Sequence, residues 1–209
     1  EIKSEYEGWV GQWQHKLTDR MRPINPYAVI AGFMQAVPPS EAIVTHDSGS
    51  PRDQITPFYK SNGPRTYIGW GKSHGLGTGL GLIIGAKIAD PEKVCVNFMG
   101  DAAFGMVGLD FETAVRSSVP IITVVLNNST MAVETTQMAD SHQLYRTRDL
   151  GGNYADMATA MGGYAERIED PNDIVGAFQR ARIKTEEGTA VLLEFITSAE
   201  TDYSIKRPF

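Results

Sequence analysis

Polar side chains follow two apolar segments in the middle of the chain, and each segment is typical of a buried strand. Asp101 comes just after the segment 94–99, and Asn128 comes just after the segment 121–126, with one predicted helix between them. Because neighbouring parallel strands lie about 4.8 Å apart, the two side chains can converge on one ion. A carboxylate, an amide oxygen and a backbone carbonyl are hard oxygen donors, which suit Mg²⁺ or Ca²⁺ rather than zinc.

The same residues also have a purely structural explanation. Asp101 could cap the helix that follows it, and Asn127-Asn128 could form a turn. A bound magnesium ion usually completes its coordination with water and phosphate oxygens. The small residues Ala102 and Ala103 leave room for a diphosphate beside Asp101. We therefore interpret this part of the chain as a candidate site for an ion and a diphosphate.

Glycine crowds the segment 67–85, where it occupies seven of nineteen positions. Each glycine inside a helix costs about 1 kcal/mol relative to alanine, so we expect no ordinary helix here. Such a composition is typical of a backbone that must approach a ligand or another helix closely. A nicotinamide-dinucleotide-binding domain is a competing interpretation of the glycines at 75–81, but no long apolar strand precedes them and no well-placed ribose-binding acid follows.

Strand and helix patterns alternate along most of the chain. Strands are predicted over 42–45, 94–99, 121–126, 164–168 and 190–196, and helices from 26 up to 38, about 109–117, near 154–161 and over 171–187. This alternation predicts an α/β fold, a parallel sheet with helices on both faces. In such sheets the ligand binds at the carboxyl ends of the strands. The polar clusters 46–50, 100–103 and 127–130 all lie at predicted strand ends.

The start of the chain forms a separate helical pattern. Trp9, Trp13 and Leu17 recur every four residues, which is typical of one buried helix face. Pro23 and Pro26 interrupt the pattern. We divide the chain into a linker or docking arm over 1–22, a domain over 23–197 and a C-terminal tail over 198–209.

Composition excludes several classes of partner. The 209 residues carry a net charge of −6 without a basic cluster, so we expect neither a nucleic-acid partner nor a membrane surface. The longest apolar run, 119–126, is far shorter than the roughly 20 residues that span a bilayer. One cysteine, Cys95, cannot build a disulfide framework or a zinc site, so we expect it to be buried and inert. We expect a cytoplasmic location.

The spacing around Asp101 resembles the thiamine-diphosphate signature of Gly-Asp-Gly, about two dozen residues, and Asn-Asn. Here 24 residues separate Gly100-Asp101-Ala102 from Asn127-Asn128. The segments 43–60, 64–106 and 157–181 are also similar to the class of acetolactate synthase, benzoylformate decarboxylase and 2-hydroxyacyl-CoA lyase. The resemblance covers residues 23–197 and is specific to the diphosphate-binding (PP) domain of that class. Ala102 replaces the usual second glycine, which is tolerated if the backbone there need not take a positive φ.

The resemblance implies roles for individual residues. Asp101, the Asn128 side chain and the Thr130 carbonyl would hold Mg²⁺, while backbone amides near Ala102-Ala103 and in the loop 48–50 would contact the diphosphate. The full set of implied cofactor contacts is Ser48, Gly49, Ser50, Gly75, Leu76, Gly77, Gly100, Asp101, Ala102, Ala103, Asn128, Thr130 and Met131.

A bulky apolar residue in the glycine-rich segment is also implied, as a wedge that bends the cofactor. Counting back from Gly85 without gaps assigns the wedge to Leu76. A gapped alignment moves it toward Leu80, and plain core packing would explain either leucine.

Three side chains are candidates for proton transfer or substrate contact. Glu134 lies where decarboxylases of the class carry an active-site glutamate, although it could equally be a solvated carboxylate. His46 and His74 fall in loops that we expect to face the cofactor, where they could relay protons or make structural hydrogen bonds. The polar stretch 135–152 is interpreted as a mobile lid, or else as a solvated charged loop.

By resemblance, the chain belongs to an enzyme that depends on thiamine diphosphate and Mg²⁺. It would break or form a bond next to the carbonyl of a 2-keto acid or a 2-hydroxyacyl substrate. Decarboxylase, carboligase and lyase all remain open, as does a non-catalytic, cofactor-binding regulatory module. In the resembled class a pyrimidine-binding domain supplies an activating glutamate, and this chain has no room for that domain. We therefore expect a homo- or hetero-oligomer, in which the chain is either a separate subunit or the C-terminal piece of about 550 residues.

Overall fold

A computed structural model describes residues 2–69, 75–134 and 137–204 of the chain. Its centre is a six-stranded sheet in which every neighbouring pair of strands is parallel, in the order β2-β1-β3-β4-β6-β5. The strands are β1 (Ala42–His46), β2 (Tyr67–Ile68), β3 (Val94–Gly100), β4 (Ile122–Asn127), β5 (Tyr164–Ile168) and β6 (Val191–Ile196).

Helices connect these strands and cover the sheet. They are α1 (Ile2–Leu17), α2 (Pro26–Ala36), α3 (Ser50–Ile55), α4 (Thr78–Ala89), α5 (Asp101–Val107), α6 (Asp110–Arg116), α7 (Ala139–Tyr145), α8 (Tyr154–Ala160) and α9 (Ile174–Glu186). Short 3₁₀ turns cover Ala132–Glu134 and Pro171–Asp173. Each predicted strand and helix overlaps an observed one.

Alternate residues of the central strands enter two separate cores. On one face, Phe98 of β3 packs with residues of α2 and α9, among them Phe33 and Phe178. On the other face, Cys95 and Met99 pack with residues of α4, α5, α6 and α8. The sheet is therefore buried on both sides, which explains its nearly continuous apolar strands and confirms the predicted α/β fold class.

The expectation of no ordinary helix in the glycine-rich segment is wrong, because α4 forms there. Leu80 and Ile83 on this helix are completely buried, and their burial offsets the glycine penalty. Gly79 lies so close to the sheet that a Cβ would collide with Asn97 Oδ1 and lie 3.1 Å from the His46 carbonyl carbon. Glycine is therefore needed for the close approach of the helix to the strands. Within the predicted lid 135–152, the structure describes the short helix α7.

The predicted arm packs against the domain through aromatic rings. Trp9 stacks on Phe58 with ring centroids 4.9 Å apart, and Trp13 lies 5.3 Å from the ring of Tyr27. Both tryptophans are half-buried on the core face of α2. The boundary of this arm near residue 22 stays a prediction.

The first residues of the predicted tail cross the same side of the domain. Lys16 of α1 pairs with Glu200 at 2.9 Å and with Asp202 at 2.8 Å. The hydroxyls of Tyr203 and Ser50 lie 2.7 Å apart within hydrogen-bond distance. The tail therefore connects α1 with the start of α3.

Two expectations from composition concern the described residues. None of their helices is long and apolar enough to cross a bilayer. Cys95 is 1% exposed, and burial raises the pKa of its thiol to about 12. A thiol with such a pKa stays protonated at neutral pH, which agrees with an inert cysteine.

Candidate functional site

A cavity of about 560 Å³, including the space open to solvent, lies at the carboxyl ends of the central strands. It is lined by Pro26, Ser48, Gly49, Ser50, Pro51, Gln54, Leu76, Gly100, Asp101, Ala102, Ala103, Leu126, Asn128, Thr130, Met131, Ala132, Val133, Thr197 and Ser198. The strands β1, β3 and β4 are parallel neighbours, so the loops that leave them meet at one edge of the sheet. Sequence reasoning predicted polar clusters at these three strand ends, and the structure brings all three together.

Asp101 connects two of these loops. Its carboxylate is 3% exposed and accepts hydrogen bonds from the Ala102 amide at 2.9 Å and from the Ser129 amide at 2.7 Å. Burial raises the pKa of the Asp101 carboxyl to about 6, although these backbone amides lower it in part. A cation bound beside the carboxylate would favour its ionised form.

The loop after β4 has a fixed backbone conformation. Asn128 Oδ1 accepts the Thr130 amide at 3.0 Å, and Ser129 takes a φ of 57°. The Ser129 carbonyl accepts the Leu150 amide at 3.0 Å, which ties the loop to the segment after α7. Asn128 and Thr130 are therefore held at the cavity before any ligand binds.

The donors at this point of the cavity fit a hard cation. Asp101 supplies a carboxylate, Asn128 an amide oxygen, and Thr130 a carbonyl that accepts the Ala132 amide and retains a second lone pair. Within the described part of the chain, no group of three or more His, Cys, Asp and Glu side chains could hold a metal. A set with one carboxylate and neutral oxygens suits Mg²⁺ that also binds phosphate and water, and does not suit zinc.

Other predicted cofactor contacts lie in the loop 48–50 and in the segment just before α4. Ser48, Gly49, Ser50 and Leu76 all line the cavity, and Leu76 also packs against the core beneath α4. Leu80 is completely buried in that core and is not among the described lining residues. The geometry therefore favours Leu76 over Leu80 as the wedge.

Two of the predicted glycine contacts do not line the cavity in its described part. Gly75 precedes Leu76, and the Gly77 amide is occupied by the carboxylate of Asp47, at 2.9 Å from one oxygen and 3.0 Å from the other. Gly77 takes a φ of 96°, and a Cβ there would collide with Val107. Its glycine is required by the backbone conformation at the start of α4.

The three predicted catalytic side chains have different outcomes. His46 is 4% exposed, its ring centroid lies 5.5 Å from that of Tyr67, and it packs against Gly69 so tightly that a Cβ would not fit. It is not among the described lining residues, so this placement does not support a proton relay. His74 lies outside the described residues. Glu134 ends a 3₁₀ turn whose other residues line the cavity, but its side chain lies outside the description.

Sequence reasoning missed several residues at the cavity. Thr197 and Ser198 line it from the carboxyl end of β6, and the strand-end rule that identified the other loops could have found them. Gln54 of α3 also lines the cavity and is 2% exposed. Asp47 holds the start of α4 through hydrogen bonds with the amides of Gly77 and Gly79. The sequence did not predict this role, because both glycines lie far from Asp47 along the chain.

Together, the parallel sheet and the oxygen-donor cavity at its carboxyl edge define a cofactor-binding α/β domain. The family model described as "Thiamine pyrophosphate enzyme, C-terminal TPP binding domain" matches residues 47–195. The chain belongs to this family. The match includes the loops that carry Ser48, Leu76, Asp101 and Asn128.

Relatives with known names agree with this family. The chain is 27% identical over 194 residues to the large subunit of acetolactate synthase from Mycobacterium tuberculosis, and covers 35% of that protein with 85% of its own length. It is 26% identical over 190 residues to a sulfoacetaldehyde acetyltransferase from Alcaligenes xylosoxydans, covering 31% of that protein with 88% of its own length. The chain thus spans about a third of the length of these relatives.

A solved structure has the same fold. Benzoylformate decarboxylase from Polynucleobacter necessarius superposes with a TM-score of 0.73 at 22% identity, over 88% of this chain and 35% of that one. At this identity the comparison supports the fold.

Proposed function

We propose that this chain is the diphosphate-binding part of an enzyme that uses thiamine diphosphate and Mg²⁺ to break or form a carbon–carbon bond next to a carbonyl. The observation that carries the proposal is the convergence of Asp101, Asn128 and Thr130 on one cavity beside the small residues Ala102 and Ala103. These are hard donors for Mg²⁺, and the adjacent space can hold a diphosphate. The family assignment supplies the cofactor.

Each part of the cavity then has a chemical task. Asp101, Asn128 and Thr130 would hold the cation, which would supply positive charge for the diphosphate. Ser48 and Ser50 would contact the diphosphate from the loop after β1, and Leu76 would contact the cofactor as the wedge. When bound, thiamine diphosphate supplies the electron sink that bond changes next to a carbonyl carbon require.

The proposed substrates are 2-keto acids or 2-hydroxyacyl compounds. Named relatives include a synthase and an acetyltransferase, and decarboxylase, carboligase and lyase chemistry are all compatible with this cavity. We propose Glu134 as a substrate contact, because its neighbours Ala132 and Val133 line the cavity. His74 is proposed as a proton relay from the segment before Leu76. The placement of His46 does not support the same role for it, since its ring packs against Gly69 and Tyr67.

The proposed site needs a second domain. In the family that the sequence resembles, a pyrimidine-binding domain contributes an activating glutamate, and this chain spans about a third of its relatives. We propose that a partner subunit or another part of a longer chain supplies this domain, in a homo- or hetero-oligomer. The cytoplasmic location stays a prediction.

Turnover by the complete assembly tests the proposal. The chain would be combined with its pyrimidine-binding domain, thiamine diphosphate and Mg²⁺, and assayed with pyruvate and benzoylformate. Asp101→Ala and Asn128→Ala should each abolish metal-dependent retention of the cofactor, because each removes a hard oxygen ligand. Asp110→Ala, which removes an exposed carboxylate at the start of α6, is the matched control and should retain it.

Two outcomes would contradict parts of the proposal. Unchanged cofactor retention in both cavity variants would refute the metal assignment. Binding of thiamine diphosphate and Mg²⁺ by the complete assembly, without turnover of any 2-keto acid or 2-hydroxyacyl compound, would favour the alternative function, a cofactor-binding module that regulates its partner.

A further inference from the structure

Asp47 is a buried carboxylate that the proposed metal and diphosphate contacts do not use. It follows β1 and is 0% exposed. One carboxylate oxygen accepts the Ser48 amide at 2.8 Å and the Gly77 amide at 2.9 Å. The other accepts the Gly77 amide at 3.0 Å and the Gly79 amide at 3.0 Å. A single side chain thus joins the loop after β1 to the start of α4.

These hydrogen bonds replace a missing helix cap. The first amides of a helix have no partner within the helix, and a side-chain oxygen at the N-cap position usually accepts one of them. The N-cap residue of α4 is Gly77, which has no side chain. Asp47 supplies the acceptor from the loop after β1, and its negative charge also matches the positive end of the helix dipole.

Leu76 lies directly before the capped end of α4. Leu76 is bonded to Gly77, lines the cavity and packs partly against the core. Gly77 also lies against Val107, which leaves no room for a Cβ. The residue after Leu76 is therefore held through its amide by Asp47 and packed against Val107.

We propose that Asp47 is a positioning residue that holds Leu76 in the cavity by capping α4 from β1. The consequence for the cofactor rests on the function proposed above, in which Leu76 shapes the bound thiamine diphosphate. Asp47 itself is not among the described residues that line the cavity. A carboxylate with only a general stabilising role would instead affect the whole domain evenly.

Hydrogen exchange of the cofactor-free 209-residue chain tests the cap directly. Asp47→Ala removes both acceptor oxygens, and exchange of the Gly77 and Gly79 amides should accelerate by roughly tenfold or more. Glu194→Ala is the matched control, because Glu194 is also 0% exposed and accepts the Ala155 amide at 3.0 Å from β6. The control should accelerate exchange at Ala155 and leave Gly77 and Gly79 protected.

A second variant covers the case in which Asp47→Ala is not recovered in folded form. Asp47→Asn exchanges one carboxylate oxygen for an amide nitrogen, which cannot accept these hydrogen bonds. Each of the two oxygens accepts two backbone amides, so the exchange removes an acceptor from two amides in either orientation of the asparagine. Faster exchange confined to Ser48, Gly77 and Gly79 supports the proposal. Exchange that is unchanged at these three amides, or that accelerates evenly along the chain, overturns it.

A double-mutant cycle in the complete assembly tests the action through Leu76. Asp47→Ala should lower turnover by about tenfold to a hundredfold at saturating cofactor, as we also expect of Leu76→Ala. The double variant should be no slower than Leu76→Ala alone, because the cap has no effect once the side chain it positions is gone. Multiplicative losses would overturn the action through Leu76.

The two experiments separate the proposals. If the wild-type assembly neither binds thiamine diphosphate nor turns over, the proposed function fails, while localised exchange in the cofactor-free chain still supports the cap. If exchange at Gly77 and Gly79 does not respond to Asp47, the cap fails even in an active enzyme.

Discussion

Glu194 on β6 offers a quantitative test of how this site is supported. The side chain is 0% exposed, and its two oxygens have different partners. Oε1 accepts Asn127 Nδ2 at 2.7 Å and Arg167 Nη1 at 3.0 Å, while Oε2 accepts the Ala155 amide at 3.0 Å. The carboxylate therefore joins the end of β4, the edge strand β5 and the start of α8.

The effect of Glu194→Gln follows from these contacts. The glutamine should direct its oxygen toward the two donors Asn127 and Arg167, which leaves its amide nitrogen facing the Ala155 amide. One buried amide then loses its acceptor, at a cost of about 1–3 kcal/mol. The lost charge adds little on the Arg167 side, because that side chain is 36% exposed and water screens the pair. We expect the free energy of unfolding to fall by about 2 kcal/mol.

Urea denaturation of the chain measures this change. With a slope of about 1–3 kcal/mol per molar, a loss of about 2 kcal/mol lowers the midpoint by roughly 1 M. Glu166→Gln is the control, since Glu166 on β5 pairs with the half-exposed Arg180 and should contribute less than about 1 kcal/mol. Equal midpoints for the two variants would refute the reasoning that the buried acceptor, rather than the charge pair, stabilises this region.

Three further predictions concern α4, the thiol and the wedge. Gly79→Ala should lower the free energy of unfolding by about 1–3 kcal/mol, because its Cβ would collide with Asn97. Gly81 has open space around it, so Gly81→Ala should raise the free energy of unfolding by up to about 1 kcal/mol. Equal thermal midpoints for the two variants would contradict the close approach of α4 to the sheet. Cys95 should resist alkylation at pH 7 in the native chain and react in urea, because burial raises the pKa of its thiol to about 12. Rapid alkylation of Cys95 in the native chain would contradict this burial. Leu76→Ala should retain the cofactor in the complete assembly but lower its turnover, and turnover equal to wild type would move the wedge to another residue.

Local sequence patterns predicted most of the sheet. Strands β1, β3, β4 and β6 are nearly continuous apolar segments, because helices cover both faces of the sheet. The spacing of Asp101 and Asn128 predicted their convergence, since parallel neighbouring strands end at one edge. These features depend only on strand order and chain direction.

Features that depend on distant contacts could not be predicted in this way. Helix α4 forms in spite of its glycines because Asp47, 30 residues before Gly77, caps it and because Gly79 fits against Asn97. The ring of His46 likewise packs against Gly69, which directly follows the neighbouring strand β2. Patterns of hydrophobic periodicity extend over about 11–18 residues of sequence. The two partners of each of these contacts lie too far apart in the sequence to fall within one such window.

Three buried carboxylates share one arrangement around the cavity. Asp47 and Asp101 follow the strands β1 and β3, Glu194 lies within β6, and each accepts a backbone amide from another loop or helix. Loops at strand ends have amides that no ladder satisfies, and buried carboxylates are strong acceptors for them. Of the three, only Asp101 lines the described part of the cavity. Asp101 is thus at the cavity where the proposed cation would bind, while Asp47 holds the start of α4 and Glu194 holds Asn127 and the start of α8. We expect these contacts to order Leu76 and Asn128 before a ligand binds and so to reduce the entropy lost on binding.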